Sequence, residues 1–144
     1  MPRQPDTFYE AILRLTRAVR GAFEQRVQQT EGLTFARARL LAMIGHNPGA
    51  SQTELASALG IETPTLKRQL DALEQQGLAE RRPMPEDARK HAVFLTETAQ
   101  IGPLLGFRHE IEAELTAGIP AEDIATTRRV LSEMAARIEM LRQR

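Results

Sequence analysis

Ser51-Gln52-Thr53-Glu54-Leu55-Ala56-Ser57-Ala58-Leu59-Gly60 and, two residues on, Thr63-Pro64-Thr65-Leu66-Lys67-Arg68-Gln69-Leu70-Asp71-Ala72-Leu73 make up the stretch whose reading decides the fold. Ser51, with Glu54 three residues later, is a capping box that opens a short helix through Leu55 to Leu59. Gly60 stands where a C-terminal cap belongs. Thr63 is then read as the cap of a second helix with Pro64 at its first position, where the missing N–H is harmless. Leu66, Leu70 and Leu73 fall on one face of that helix, which ends near Gly77. Two short helices joined by a tight glycine-containing turn describe a helix-turn-helix.

Downstream the pattern changes. Residues 78–82 read as a strand ending at Pro83, and residues 92–95 as its partner, with a polar, proline-rich loop between them. A hairpin directly after a helix-turn-helix is a wing. Upstream, Phe8, Ile12, Leu15, Val19, Phe23 and Val27 make one helical face, interrupted at Gly32 and Leu33. Thr34 is placed to cap the next helix, which His46-Asn47-Pro48-Gly49 stops. Thr96 is read as capping a helix that carries Ile101, Leu104, Leu105, Ile111 and Leu115. After Pro120 a last helix carries Ile124, Leu131, Met134, Ile138 and Leu141. The fold class expected is mainly α with a small β-hairpin wing, a winged helix-turn-helix plus a helical dimerisation region. The division by role is 1–32, 33–96 and 97–144, with the two end segments dimerising and the middle one binding DNA.

With Leu66, Leu70 and Leu73 turned inward, the second short helix presents Pro64, Arg68, Asp71 and Gln75 outward, flanked by Thr65 and Lys67. Its positive charge lies in the first half, the order wanted by a recognition helix that enters the major groove by its N-terminal end. Arginine or lysine donates to guanine O6 and N7, and threonine meets a thymine methyl or a phosphate. Arg81, Arg82, Arg89 and Lys90 bring positive charge to the hairpin against Glu86 and Asp87. An arginine at the loop tip suits a narrow minor groove. The plainer reading is a solvated loop in which Asp87 pairs with a nearby arginine, and the two are compatible.

The run from Leu66 to Arg82, followed by Pro85-Glu86-Asp87-Ala88-Arg89 and Phe94-Leu95-Thr96, resembles the MarR family of bacterial transcription regulators. The matching pieces are Asp71-x-Leu73-Glu74-x-x-Gly77-Leu78-x-x-Arg81, Asp87-x-Arg89 and Leu95-Thr96. The resemblance implies a homodimer whose terminal helices form the interface and whose recognition helices enter successive major grooves of a pseudo-palindromic operator. It implies that Thr65, Lys67 and Arg68 lie at reading positions, and that Ser51, Gln52, Thr53 and Thr63 lie near phosphates or bases. Arg82, Arg89 and Lys90 belong to the wing, Arg89 at its tip and Asp87 orienting it. Repression relieved by a small aromatic or anionic effector is the usual family behaviour, with Arg17, Arg37 and His46 as candidate effector groups. Each of these three also reads as a surface or interface residue. The sequence departs from the family at Arg37, often glutamine, and at Lys67-Arg68, commonly Thr-Arg.

Composition sets the outer limits. The 144 residues contain no cysteine, which excludes disulfides, thiolate metal sites and thiol-based peroxide sensing. His46, His91 and His109 do not form a metal-ligand spacing, and no cofactor is expected. His109-Glu110 opens like a zinc-protease helix, but Ala113 occupies the position of the second histidine, and no enzymatic activity is expected. No signal or spanning segment is visible, so a cytoplasmic protein with no membrane partner is expected. Nineteen basic side chains balance nineteen acidic ones. That neutrality leaves open a winged helix used for protein contacts alone. It is, however, an average: residues 81–95 hold four basic and two acidic side chains, residues 96–120 one and four.

Overall fold

The computed structural model describes residues 1–3, 5–27 and 33–144; the break read at Gly32 lies outside them. Among the described residues the order is α1 (Phe8–Val27), α2 (Phe35–His46), α3 (Gln52–Leu59), α4 (Thr63–Gln75), β1 (Ala79–Pro83), β2 (His91–Leu95), α5 (Gly102–Thr116) and α6 (Ala121–Arg142). This is the mainly helical, winged helix-turn-helix class read from the sequence. Two compact units divide the chain, Met1–Gly106 and Phe107–Arg144, with the boundary inside α5. Division by role, at residues 32 and 96, is a separate question from this division by compactness.

In the first unit local signals set the helix ends. The Thr34 hydroxyl accepts from the Arg37 N–H at 3.2 Å and caps α2. The capping box of α3 is complete: Ser51 Oγ accepts from the Glu54 N–H at 3.1 Å, and Glu54 Oε2 accepts from the Ser51 N–H at 3.4 Å. Gly60 ends that helix in the left-handed region, φ 67°, which a side chain would strain. The start of α4 corrects the sequence reading. Its cap is Glu62, whose carbonyl accepts from the Leu66 N–H at 3.0 Å, while Thr63 and Pro64 are already helical. Proline is as harmless at the second position as at the first, because neither N–H has a partner within the helix.

Leu66, Leu70 and Leu73 are completely buried on α4. They belong to the same core as Leu55 and Leu59 of α3, Leu40 and Ile44 of α2, and Val93 of β2. The hairpin pairs antiparallel from Ala79 with Leu95 to Pro83 with His91. The linker between α2 and α3 adds a third edge: the Gly49 N–H donates to Val93 O, and the Val93 N–H to Ala50 O, both at 2.9 Å. Thr96 does not cap α5. Its hydroxyl donates to Gly77 O at 2.5 Å and its N–H to Leu78 O at 3.1 Å, tying the foot of the hairpin to the end of α4. The chain at Thr96 is thus still engaged with the wing, and α5 begins only at Gly102. Gly45 lets that connection approach α2, since a Cβ there would lie 2.5 Å from Ile101 Cδ1.

Both ends of the chain leave apolar side chains uncovered. On α1, Phe23 and Val27 are buried and the Phe23 ring meets Phe35 edge-on at 5.5 Å, but Phe8, Tyr9, Leu13 and Leu15 are exposed. In the second unit α6 buries no residue, and Ile138, Met140 and Leu141 are each at least 60% exposed. Among the described residues no helix is long and apolar enough to cross a membrane.

The leucine stripe of α4 has a direct test. Leu70→Ala is expected to lower the unfolding free energy by about 2–5 kcal/mol in urea denaturation, and a loss under about 1 kcal/mol would contradict its place in the core.

Candidate nucleic-acid interface

A helix whose inner face is fixed by three leucines has its outer face fixed too. The starts of α3 and α4 and the wing surround an open cleft of about 970 Å³. Ser51, Gln52 and Thr53 reach it from the start of α3, Thr63 and Lys67 from α4, and Arg89 and Lys90 from the wing loop. The structure thus brings together most of the residues singled out in the sequence. Thr65, Arg68 and Arg82 lie outside the cleft lining. Arg68 Nη2 donates to Thr65 Oγ1 at 3.3 Å, linking the exposed arginine to the half-buried threonine one turn before it. Arg82 stacks over the Phe94 ring at 4.3 Å and pairs with Glu80.

Neighbouring residues of a strand point to opposite faces, and the Arg81-Arg82 pair divides accordingly. Arg81 turns inward and is 18% exposed. Its Nη2 lies 2.5 Å from Asp71 Oδ1 and 2.8 Å from Glu74 Oε2; its Nε lies 2.7 Å from Glu74 Oε1. Nη1 donates to Gln52 Oε1 at 3.4 Å. Hydrogen bonding to Glu74, then to Asp71, outweighs the penalty of burial and holds the guanidinium well above its ordinary pKa. The sequence reading counted Arg81 among the positive charges of the hairpin; the structure commits it to two carboxylates of α4. Asp71 and Glu74 three residues apart, with an arginine at an inward strand position after the helix, are the signal that could have found this pairing.

At the wing tip Arg89 is 92% exposed. Its N–H donates to Asp87 Oδ1 at 3.0 Å and its Nε to the same oxygen at 3.3 Å. The loop closes through the Met84 N–H on Lys90 O at 2.9 Å and the Lys90 N–H on Asp87 O at 3.0 Å. The arginine is thereby held at the tip with most of its guanidinium in solvent.

Two of the three candidate effector groups lie apart. Arg37 and His46 occupy opposite ends of α2, about 13 Å apart along its axis. Neither they nor Arg17 line the cleft or a second, smaller cavity of about 110 Å³ among Leu33, Leu41, Leu78, Ile101 and Leu104. That cavity is well below the ~300 Å³ of an ordinary ligand pocket. Among the described residues no three histidines or carboxylates converge as a metal would require.

Comparison with known proteins bears on this geometry. A family model described as MarR family matches residues 31–90. The transcriptional repressor CouR, solved bound to a 23-mer DNA duplex, is 31% identical, with 90% of this chain and 93% of that chain covered and a TM-score of 0.73. S. aureus MepR, solved as a DNA complex, is 20% identical over 92% of this chain and 98% of that chain, TM-score 0.82. The transcriptional regulator SlyA is 19% identical over 93% and 94%, TM-score 0.80. At these two lower identities the likeness is one of fold.

The contact between Asp87 and Arg89 makes the wing loop sensitive to acid. The backbone N–H of Arg89, then its guanidinium, holds the Asp87 carboxyl below the usual carboxylate range. A lowered folded pKa means that the ordering is complete above the ~3.9 of a free aspartate and is lost as pH falls through the lower folded value. The Arg89 amide resonance is expected to titrate with a midpoint below ~3.9 and to lose that step in Asp87→Asn; a midpoint at or above ~3.9 would contradict the contact.

Proposed function

The chain belongs to the MarR family of transcription regulators, and from that premise we propose that it is a repressor that binds double-stranded DNA by sequence, as a homodimer. The observation that carries the proposal is the cleft, where the starts of two helices and a wing tip converge with Lys67, Arg89 and Lys90 on its lining. A major groove about 12 Å wide admits one helix. With its leucines inward, α4 offers Thr65, Lys67 and Arg68 to base edges, and Ser51, Gln52, Thr53 and Thr63 supply donors for phosphates. Arg89 at the wing tip reaches the adjacent minor groove, with Lys90 and Arg82 beside the backbone and Asp87 holding the tip.

The homodimer is supported by the uncovered apolar residues of α1 and α6, which a partner copy would bury. On this reading residues 1–32 and 97–144 dimerise, and residues 33–96 bind DNA in the cytoplasm. Two recognition helices related by a two-fold axis require a pseudo-palindromic operator. Release by a small aromatic or anionic effector completes the proposal, with Arg17, Arg37 and His46 as candidate groups taken singly rather than as one gathered site.

Selection of bound duplexes from a random pool tests the proposal. Enrichment of a two-fold symmetric site with half-sites ~10 bp apart is expected. Enrichment of no sequence would overturn it in favour of a winged helix that serves protein contacts alone.

A further inference from the structure

The cleft lining holds four cations, Lys67, Arg81, Arg89 and Lys90, against two carboxylates, Glu54 and Glu74. Arg81 differs from the other three. It is mostly buried, it spans Asp71, Glu74 and Gln52, and its donors are taken up by protein acceptors rather than offered to solvent. Glu74 is 31% exposed and Asp71 49% exposed, so both carboxylates retain solvent-facing surface on the helix that carries Lys67 and Arg68. Without Arg81, two uncompensated negative charges would stand within one or two helical turns of Lys67.

We infer that Arg81 is a positioning residue for DNA binding whose charge masks Asp71 and Glu74, so that the acidic second half of α4 can lie against a phosphate backbone. Arg81 itself contacts no nucleic acid. The two acids in turn withhold its charge from DNA and limit sequence-independent affinity. This role rests on the DNA-binding reading above.

Its test uses full-length protein, the duplex enriched by the wild type, and an unrelated duplex of equal length, with affinity followed across salt concentration. Arg81→Gln is expected to weaken binding to the enriched duplex at least tenfold. The triple variant Arg81→Gln, Asp71→Asn, Glu74→Gln is expected to recover most of that loss, because no bare carboxylate remains. If Arg81 served only to tie the wing to α4, the triple variant would stay as weak as the single one, and that result overturns the inference. A third variant covers the case in which Arg81→Gln does not fold. Asp71→Asn with Glu74→Gln keeps hydrogen-bond acceptors for Arg81 while releasing its charge. It is expected to bind the unrelated duplex severalfold more tightly, with a salt dependence steeper by up to ~0.9 log units per log unit of salt. An unchanged slope or weaker binding there also overturns the inference. Failure of the wild type to enrich any duplex is a separate result, and tells against DNA binding itself.

Discussion

Complete burial of Leu66, Leu70 and Leu73 along one face of α4 is the constraint on which the rest of the structure depends. Each buried leucine contributes about 1.5–3 kcal/mol relative to exposure, so rotating α4 to any other face would forfeit several of these contributions at once. The rotation of α4 is therefore fixed by the core rather than by the surface it presents. Lys67 and Arg68 face outward as a consequence, Thr65 lies half-buried on the flank, and the side turned toward β1 carries Asp71 and Glu74. Both the outward chemistry of α4 and the internal ion pairs follow from the packing of three aliphatic side chains.

Charge is arranged economically around that helix. A chain with no net charge gains little from long-range attraction to DNA, so local placement has to supply what the total does not. Arg81 is turned inward and paired with Asp71 and Glu74 of α4, Arg82 lies over the Phe94 ring, and Arg89 is held at the wing tip by its near neighbour Asp87. Three arginines of one hairpin thus have three different tasks, set by strand alternation and by the length of the loop. The uncovered apolar faces of α1 and α6 belong to a different level of organisation, since a surface of that kind is stabilised by association rather than by folding of one chain.

Much of this was legible because its signals are local. The capping box at Ser51 and Glu54, the left-handed Gly60, the leucine spacing on α4 and the two strands are each encoded within a few residues, and the strand ends differ from the reading by about one residue. What escaped the reading depends on residues distant in sequence. Arg81 reaches Gln52, twenty-nine positions away, and the consecutive charges of β1, Glu80-Arg81-Arg82, do not by themselves say which arginine turns inward to Asp71 and Glu74. The bridge from Gly49 and Ala50 to Val93 adds a strand edge inside a segment read only as a helix stop. Thr96 has the composition of a cap, yet its hydroxyl finds Gly77 first. Arg37 and His46 read as polar groups of one neighbourhood, but the rise of α2 sets them at its opposite ends.

The central claim is that the face of α4 opposite its leucines reads the major groove while the wing enters the minor groove. Methylation interference on the enriched duplex tests it most directly, because guanine N7 lies in the major groove and adenine N3 in the minor one. The result expected is loss of binding on N7 methylation within two stretches about one helical turn apart, with N3 methylation interfering at positions flanking them. Full binding to duplexes methylated at every N7 would contradict it.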